Sequence, residues 1–350
     1  MLVTSPGINS TNLSGAFLTM VQAVKTNAPL RIGVVGVGTM GSNHARVLAG
    51  LSGIQLVGVA DPDRAQRDLV TRVLGCPAVN DLEGLLPLGV DAITIAAPTH
   101  LHHDIALTCI ARGIHVLVEK PIASSVEEGR SIIDAAKKAG VTLVVGHVER
   151  FNPAVIAIKE AIRGEDILSI AITRVGPFPP RMSNVGVVID LAVHDIDLIR
   201  WFTDSDIVEV QPQLSSAIAE REDIALLQFR TASGVLAHIN TNWITPFKAR
   251  SVTIATRGKY LTGDLLTRQV TECFGFQPDG AYSMRHVSVG HDEPLRAELI
   301  AFVAAVRGEK PPAVTGEEGV ASLEVATRCL EGRSMSMAPS SRKGPRRVAG

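Results

Sequence analysis

Arg31-Ile32-Gly33-Val34-Val35-Gly36-Val37-Gly38-Thr39-Met40-Gly41 is the stretch on which the fold turns. An apolar run enters a G-x-G-x-x-G hexapeptide, and an amphipathic segment around His44–Leu51 leaves it. The glycine pattern alone means little in a chain with 31 glycines. Its setting makes it specific: Asp61 closes the next apolar run, Gln55–Ala60, about twenty positions past Gly41. In such a unit Gly36 permits the tight turn, Gly38 lets backbone approach a pyrophosphate, and Gly41 lets helix and strand pack closely. Unpaired N–H groups at the helix start, around Thr39 and Met40, would hold that pyrophosphate. A carboxylate at Asp61 suits ribose hydroxyls and repels a 2′-phosphate, so the expected cofactor is NAD. Arg64 nearby argues the other way.

Working outward, apolar runs alternate with amphipathic segments. After Ala65–Val73 come Ala92–Ala96, a helix near His103–Arg112, His115–Val118, a helix at Val126–Ala139, and Val141–Val145. Continuous apolar strands between helices predict a parallel sheet covered on both faces, a doubly wound α/β domain. The pattern changes beyond Phe151-Asn152-Pro153. A helix at Ala154–Arg163 precedes strands of period two at Ser169–Val175, Ile207–Val210, Ile224–Phe229, Val235–Asn242 and Ser251–Ala255. Helices at Val188–Phe202, Pro294–Val306 and Gly319–Cys329 complete an α+β half whose mostly antiparallel sheet has one open face. The expected division is a loose extension at 1–29, a Rossmann domain at 30–150, a substrate and oligomerisation domain at 151–332, and a flexible tail at 333–350.

Composition narrows the partners. With 46% hydrophobic and 20% charged residues and a formal net charge of −1, the chain offers no electrostatic case for nucleic acid or an anionic membrane. No run reaches the roughly 18 apolar residues that span a bilayer. Cys76, Cys109, Cys273 and Cys329 are scattered, which fits reduced thiols and a cytoplasmic location. An open sheet face predicts a homodimer or homotetramer, since monomers rarely leave large apolar patches exposed.

Two groups of residues carry chemistry. Glu119-Lys120-Pro121 ends the fourth long strand, at the edge where ligands of open parallel sheets gather. A lysine there can polarise an oxygen or move a proton. Asp190 and His194 stand four apart on a helix, so a carboxylate and an imidazole share one face. An imidazole near neutral pKa suits removal of a hydroxyl proton. Taken singly, a surface lysine or a helix-face Asp–His pair is commoner without chemistry. His100, His102 and His103 crowd one loop in poor geometry for a metal, and no metal site is expected.

These motifs occur in a fixed order: the glycine fingerprint, Ala97-Pro98-Thr99 with His102, Glu119-Lys120-Pro121, Gly146-His147-x-x-Arg150-Phe151-Asn152-Pro153, and Asp190-x-x-x-His194. Together they resemble the glucose–fructose oxidoreductase/inositol dehydrogenase (Gfo/Idh/MocA) family over roughly residues 30–332. Ala192 and His147 depart from its usual Gly and aromatic residue. The resemblance implies an NAD-dependent dehydrogenase of sugar hydroxyls, with Lys120, Asp190 and His194 lining the active site. Cofactor contacts are expected from Pro98, Thr99, His102, Glu119, Lys120 and Arg150.

Arg174–Arg181, Val185–Asp197 and Thr241–Pro246 are similar to the branch that makes 3-keto UDP-N-acetylglucosamine for later transamination in amino-sugar biosynthesis. On that resemblance Asn152, Arg174, Arg181, Asn242 and Trp243 would meet the nucleotide sugar, with Arg174, Arg181, Lys248 and Arg250 as candidates for its diphosphate. A dehydrogenase of a free sugar or inositol, and a non-catalytic NAD-sensing regulator, are the rival readings.

Overall fold

The chain's computed structural model describes residues 28–179 and 185–332. Most of the expected N-terminal extension, the tail at 333–350, and Arg181 lie outside the described residues.

β1 (Leu30–Val35) runs into the sheet centre, its last four residues buried. α1 (Thr39–Ala49) starts directly after Gly38, earlier than the amphipathic pattern alone suggests. The glycine turn must deliver the helix's free N–H groups to the loop, so the helix begins there. β2 (Ile54–Ala60), α2 (Arg64–Leu74), the two-residue β3 (Ala78–Val79) and the short α3 (Leu82–Leu85) follow. Next come β4 (Ala92–Ile95), α4 (His102–Ile110), β5 (His115–Glu119), α5 (Val126–Ala139) and β6 (Leu143–Gly146). These strands form a parallel six-stranded sheet in the order β3-β2-β1-β4-β5-β6. The order reverses between β1 and β4, so a crevice opens outside their carboxyl ends.

The second half holds α6 (Pro153–Ala161), β7 (Ile167–Pro177), a π-helical turn at Val188–Ala192, and α7 (Val193–Thr203). β8 (Ile207–Ser215), β9 (Ile224–Thr231), β10 (Leu236–Asn242), β11 (Ile244–Thr256), β12 (Lys259–Asp264), β13 (Gln269–Phe274) and β14 (Ser283–Val287) follow. They make an eight-stranded sheet, β14-β13-β12-β11-β7-β10-β9-β8, antiparallel except where β10 runs parallel to β7. One face packs on α6, the π turn and α7. The other presents Leu168, Leu226, Leu236 and Tyr260, each at least 44% exposed. β14 escapes a pattern reading because it is an exposed edge with little alternation; β12 and β13 do alternate and were missed.

α8 (Pro294–Val306) and α9 (Gly316–Glu331) close the chain, and both return to the first half. Leu295, Leu299, Phe302 and Val303 of α8 share a core with Val47 and Leu48 of α1. Val320 and Leu323 of α9 pack with Ile132 and Ile133 of α5. The four cysteines are free thiols.

Candidate active site

The glycine loop is built for close approach. Gly36 has φ 83°, and a Cβ there would lie 2.6 Å from the Ala97 nitrogen of the next strand's exit. A Cβ at Gly41 would strike the Gly36 carbonyl oxygen at 1.7 Å, so only glycine lets the helix sit this near the turn. Gly38 differs: a Cβ there would meet nothing within 4 Å, because it faces an open cleft. α1 has no side-chain cap and no acid in its first turn, which leaves its N-terminal N–H groups for an anion. The cleft, about 760 Å³, is lined by Gly36, Gly38, Asp61, Asp63, Asp81 and Pro98 among others.

Asp61 accepts from Val37 N–H at 2.7 Å and from Asp63 N–H at 2.8 Å, so its carboxylate is fixed at the strand end. Arg64 points away, 86% exposed, beside Asp68. Arg67 is engaged by the Asp61 and Pro62 carbonyls, at 2.7 and 2.9 Å, and the three carboxylates lining the cleft suit a ribose diol rather than a 2′-phosphate. These features fit NAD: α1 and Gly38 would hold its pyrophosphate and Asp61 its adenosine ribose.

His102 braces this cleft. Its Nδ1 lies 2.9 Å from the Pro121 carbonyl oxygen and its Nε2 2.8 Å from that of Ala97. Burial lowers its pKa, with the two carbonyls pulling the other way. The ring ties the Ala97-Pro98 exit of β4 to the Lys120–Pro121 turn of β5. Thr99 opens the 3₁₀ turn between them, and Met40 packs half-buried against the core. His103 faces Asp104 and Ser131, and the three loop histidines do not converge.

Lys120 and Asp190 meet across the two halves. Lys120 Nζ donates to the Asp190 carbonyl at 2.8 Å and to its Oδ1 at 3.2 Å. Asp190 sits in the π turn, a distortion that recurs at functional sites. His194 follows on α7, its ring 6.3 Å from that of His147 in a T-shaped pair. Its Nδ1 is buried and has no hydrogen-bond partner among the described residues. Burial, and then the Lys120, Arg174, His147 and Arg250 charges, hold its pKa well below the usual value. The imidazole is therefore neutral and able to accept a proton. The spacing argument for a shared helix face does not carry over, because Asp190 lies in the π turn, and its carboxylate serves Lys120.

Several expected contacts are corrected by the geometry. Arg174, 2% exposed, gives Nε and Nη2 to Asp195 and Nη1 to Glu149, so no nitrogen is left to face a diphosphate. Burial would lower its pKa, yet Asp195 and Glu149 more than offset this and raise it. Arg150 forks onto Asp197 at 2.7 Å through Nε and Nη2 and reaches Glu318 at 2.6 Å; it ties three segments together and does not face the cofactor cleft. Asn152 caps α6 and donates to the Leu265 carbonyl. Trp243 is buried against Phe178, and Asn242 Oδ1 accepts from Ile244 N–H and Thr245 Oγ1. Glu119 is turned inward, 2.9 Å from His44 Nε2. Sequence reasoning missed Glu149, Asp195 and Asp197. The one available signal was the acid spacing Asp195-x-Asp197 inside an otherwise apolar helix.

Arg250 has a different position. Its Nη1 donates to Glu149 at 2.9 Å while the side chain stays one-third exposed. Burial and the Arg174 charge lower its pKa, against Glu149, Asp195 and Asp190.

A dinucleotide cleft, with Lys120 at the sheet's carboxyl edge near enough to lower the pKa of the buried His194, is the arrangement of an NAD-dependent dehydrogenase. Residues 30–147 match the NAD-binding Rossmann domain of the oxidoreductase family, and residues 168–261 match the Gfo/Idh/MocA C-terminal domain. UDP-N-acetylglucosamine 3-dehydrogenase of Acidithiobacillus ferrooxidans is 30% identical over 308 residues, 87% of this chain and 96% of the relative. Inositol 2-dehydrogenase of Rubrobacter xylanophilus is 32% identical over 86% of this chain and 90% of its own. A solved structure of the Acidithiobacillus enzyme superposes with TM-score 0.81 at 27% identity, covering 87% of this chain and 97% of that one. The chain belongs to the Gfo/Idh/MocA family of oxidoreductases.

Proposed function

We propose that this dehydrogenase oxidises the 3-hydroxyl of the sugar in UDP-N-acetylglucosamine, giving the 3-keto nucleotide sugar used in amino-sugar biosynthesis in the cytoplasm. Bound NAD supplies the hydride acceptor. The neutral His194 takes the hydroxyl proton as hydride leaves the same carbon. Lys120, held by two Asp190 oxygens, donates to the reacting oxygen and stabilises its developing negative charge. With its ammonium so paired, Lys120 acts as the donor and His194 as the base.

The observation that carries the nucleotide-sugar reading is Arg250. It is the partly exposed guanidinium whose field reaches both Asp190 and His194, so an anionic substituent of the bound sugar has a cation beside the reacting centre. Lys248, exposed two residues earlier on β11, adds a second positive charge. Similarity to the Acidithiobacillus enzyme over nearly its whole length supports the same choice. The inositol dehydrogenases are similar at comparable identity, and a free cyclitol would bring no anion to Lys248 or to the exposed side of Arg250, whose one partner among the described residues is Glu149.

The test is mass spectrometry of the product from purified protein with NAD and UDP-N-acetylglucosamine, N-acetylglucosamine or myo-inositol. A preference for the nucleotide sugar of at least ~10²-fold in kcat/KM, about 2.7 kcal/mol, is expected. Equal or better turnover of either unphosphorylated substrate overturns the substrate assignment.

A further inference from the structure

Beneath the Lys120 turn, three ionisable side chains from three elements meet in the interior: His44 from α1, Glu119 from the end of β5, and Glu298 from α8. One ligand-type atom of each lies within 4.8 Å of the others. His44 and Glu298 are fully buried, and Glu119 is 7% exposed. Room for the Glu119 carboxylate depends on Gly146, where a Cβ would come within 3.0 Å of it. The carboxylate is 2.9 Å from His44 Nε2 through Oε1 and accepts the Lys120 N–H at 3.2 Å through Oε2. Neither oxygen of Glu298, nor Nδ1 of His44, has a hydrogen-bond partner among the described residues.

A cation explains this cluster poorly. Metal-bound histidines orient themselves through the second ring nitrogen, and here that nitrogen has no partner. A proton explains it better. Two buried carboxylates this close do not both ionise, because each would repel the other at low dielectric with no water to screen them. The two are not equivalent. Glu119 has donors that favour its anion, whereas Glu298 has none. Burial, and then the nearby Glu119 charge, push the Glu298 carboxyl well above the usual range. Were Glu298 the anion, Glu119 would take the proton and lose acceptor capacity toward His44 or Lys120.

We propose that Glu298 is a neutral carboxylic acid in the working protein and a positioning residue for Lys120, because by keeping the proton it leaves Glu119 as the carboxylate that grips the Lys120 backbone. The functional half rests on the reading of Lys120 as the group facing the substrate. The charged and titratable groups facing Glu298 are Glu119 from β5 and His44 from α1.

The experiment combines infrared difference spectroscopy with steady-state kinetics on the full chain. At pH 7 the wild type should show a protonated-carboxyl band that shifts in heavy water. Glu298→Gln should remove that band yet keep kcat within about twofold, since a neutral amide of the same shape replaces a neutral acid. Glu119→Gln should lower kcat by ~10–10²-fold, the cost of misplacing a reacting group, with NAD affinity nearly unchanged. A band that persists in Glu298→Gln, a kcat loss there as deep as in Glu119→Gln, or one metal equivalent per chain overturns the proposal. If Glu298→Gln does not fold, Glu298→Met, of similar length and without a proton to lose, takes its place: loss of the wild-type band upholds the neutral acid, and a band that persists refutes it. An inactive role for Lys120 would show separately, as unchanged turnover in Lys120→Ala, and leaves the band untouched.

Discussion

Arg174 and Arg250 donate to one and the same atom, Oε1 of Glu149, at 3.0 and 2.9 Å. The two arginines nonetheless do different things. Arg174 also holds Asp195 and is sealed in, while Arg250 stays partly exposed. Burial works against the Glu149 carboxylate, and the two guanidinium groups override it to lower its pKa. Arg174→Ala would leave Glu149 and Asp195 as buried charges short of their cation, so it should destabilise the fold by ~3–5 kcal/mol. Thermal unfolding measures this; an unchanged Tm would refute the structural role. Arg250→Ala should leave Tm nearly intact and raise KM for UDP-N-acetylglucosamine more than for the free sugar.

On the proposed mechanism His194 sets the acid limb of the pH–rate profile. Its pKa is lowered by burial and by Lys120, so the ring stays neutral below the ordinary histidine value of about 6.5. Oxidation should therefore hold its rate through pH 6.5 and fall only at lower pH. His194→Ala and Lys120→Ala should each reduce turnover by ~10²–10⁴-fold without weakening NAD binding. A limb at or above pH 6.5 that survives in His194→Ala assigns the base elsewhere.

Stability should follow the same histidines with a definite sign. His102, His147 and His194 are all buried with lowered pKa, so the unfolded chain binds their protons first. Stability is unaffected above the unfolded value near 6.5 and falls as pH drops from there toward each folded value. The slope is about 1.4 kcal/mol per pH unit for each histidine titrating in that window. Urea unfolding at pH 7.5, 6.5 and 5.5 tests it; a curve flat to pH 5.5 contradicts the burial assignment.

Cofactor choice rests on Asp61. NAD should bind more tightly than NADP, and Asp61→Ser should narrow the gap by removing a fixed negative charge from the ribose site. Titration of both cofactors by fluorescence reads this directly. Tighter NADP binding by the wild type would displace Asp61 from its role.

The open face of the eight-stranded sheet leads to the last expectation. Leu168, Leu226, Leu236 and Tyr260 stand in water there, and a second copy covering them would make a homodimer or homotetramer. Light scattering should report more than one chain per particle, and Leu226→Lys should shift it toward the monomer. A wild-type monomer at micromolar concentration rules this out.

Local sequence carried the first half well because its signals are local. Glycines, a strand-end Asp and fully apolar strands each state their role within a few residues. The Lys120–Pro121 turn at the end of β5 was legible for the same reason. Arg174 was not, because its partners stand 21 and 25 residues away and a lone arginine in a strand looks free. The π turn at Val188–Ala192 was also hidden: its apolar spacing reads as an ordinary helix. Glu298 was read simply as part of the helix Pro294–Val306, since only the tertiary fold sets it against Glu119.

The packing of α8 on α1 has a consequence for how the protein is made. A ribosome delivers residues 30–150 first, yet the part of the Val47 and Leu48 cover that α8 supplies arrives only when Leu299 and Phe302 emerge, near the end of synthesis. The nascent first domain therefore waits, with one flank greasy, through the synthesis of the whole second domain. A chain cut short before residue 294 forfeits that cover, and the truncated product is the form that chaperones would retain.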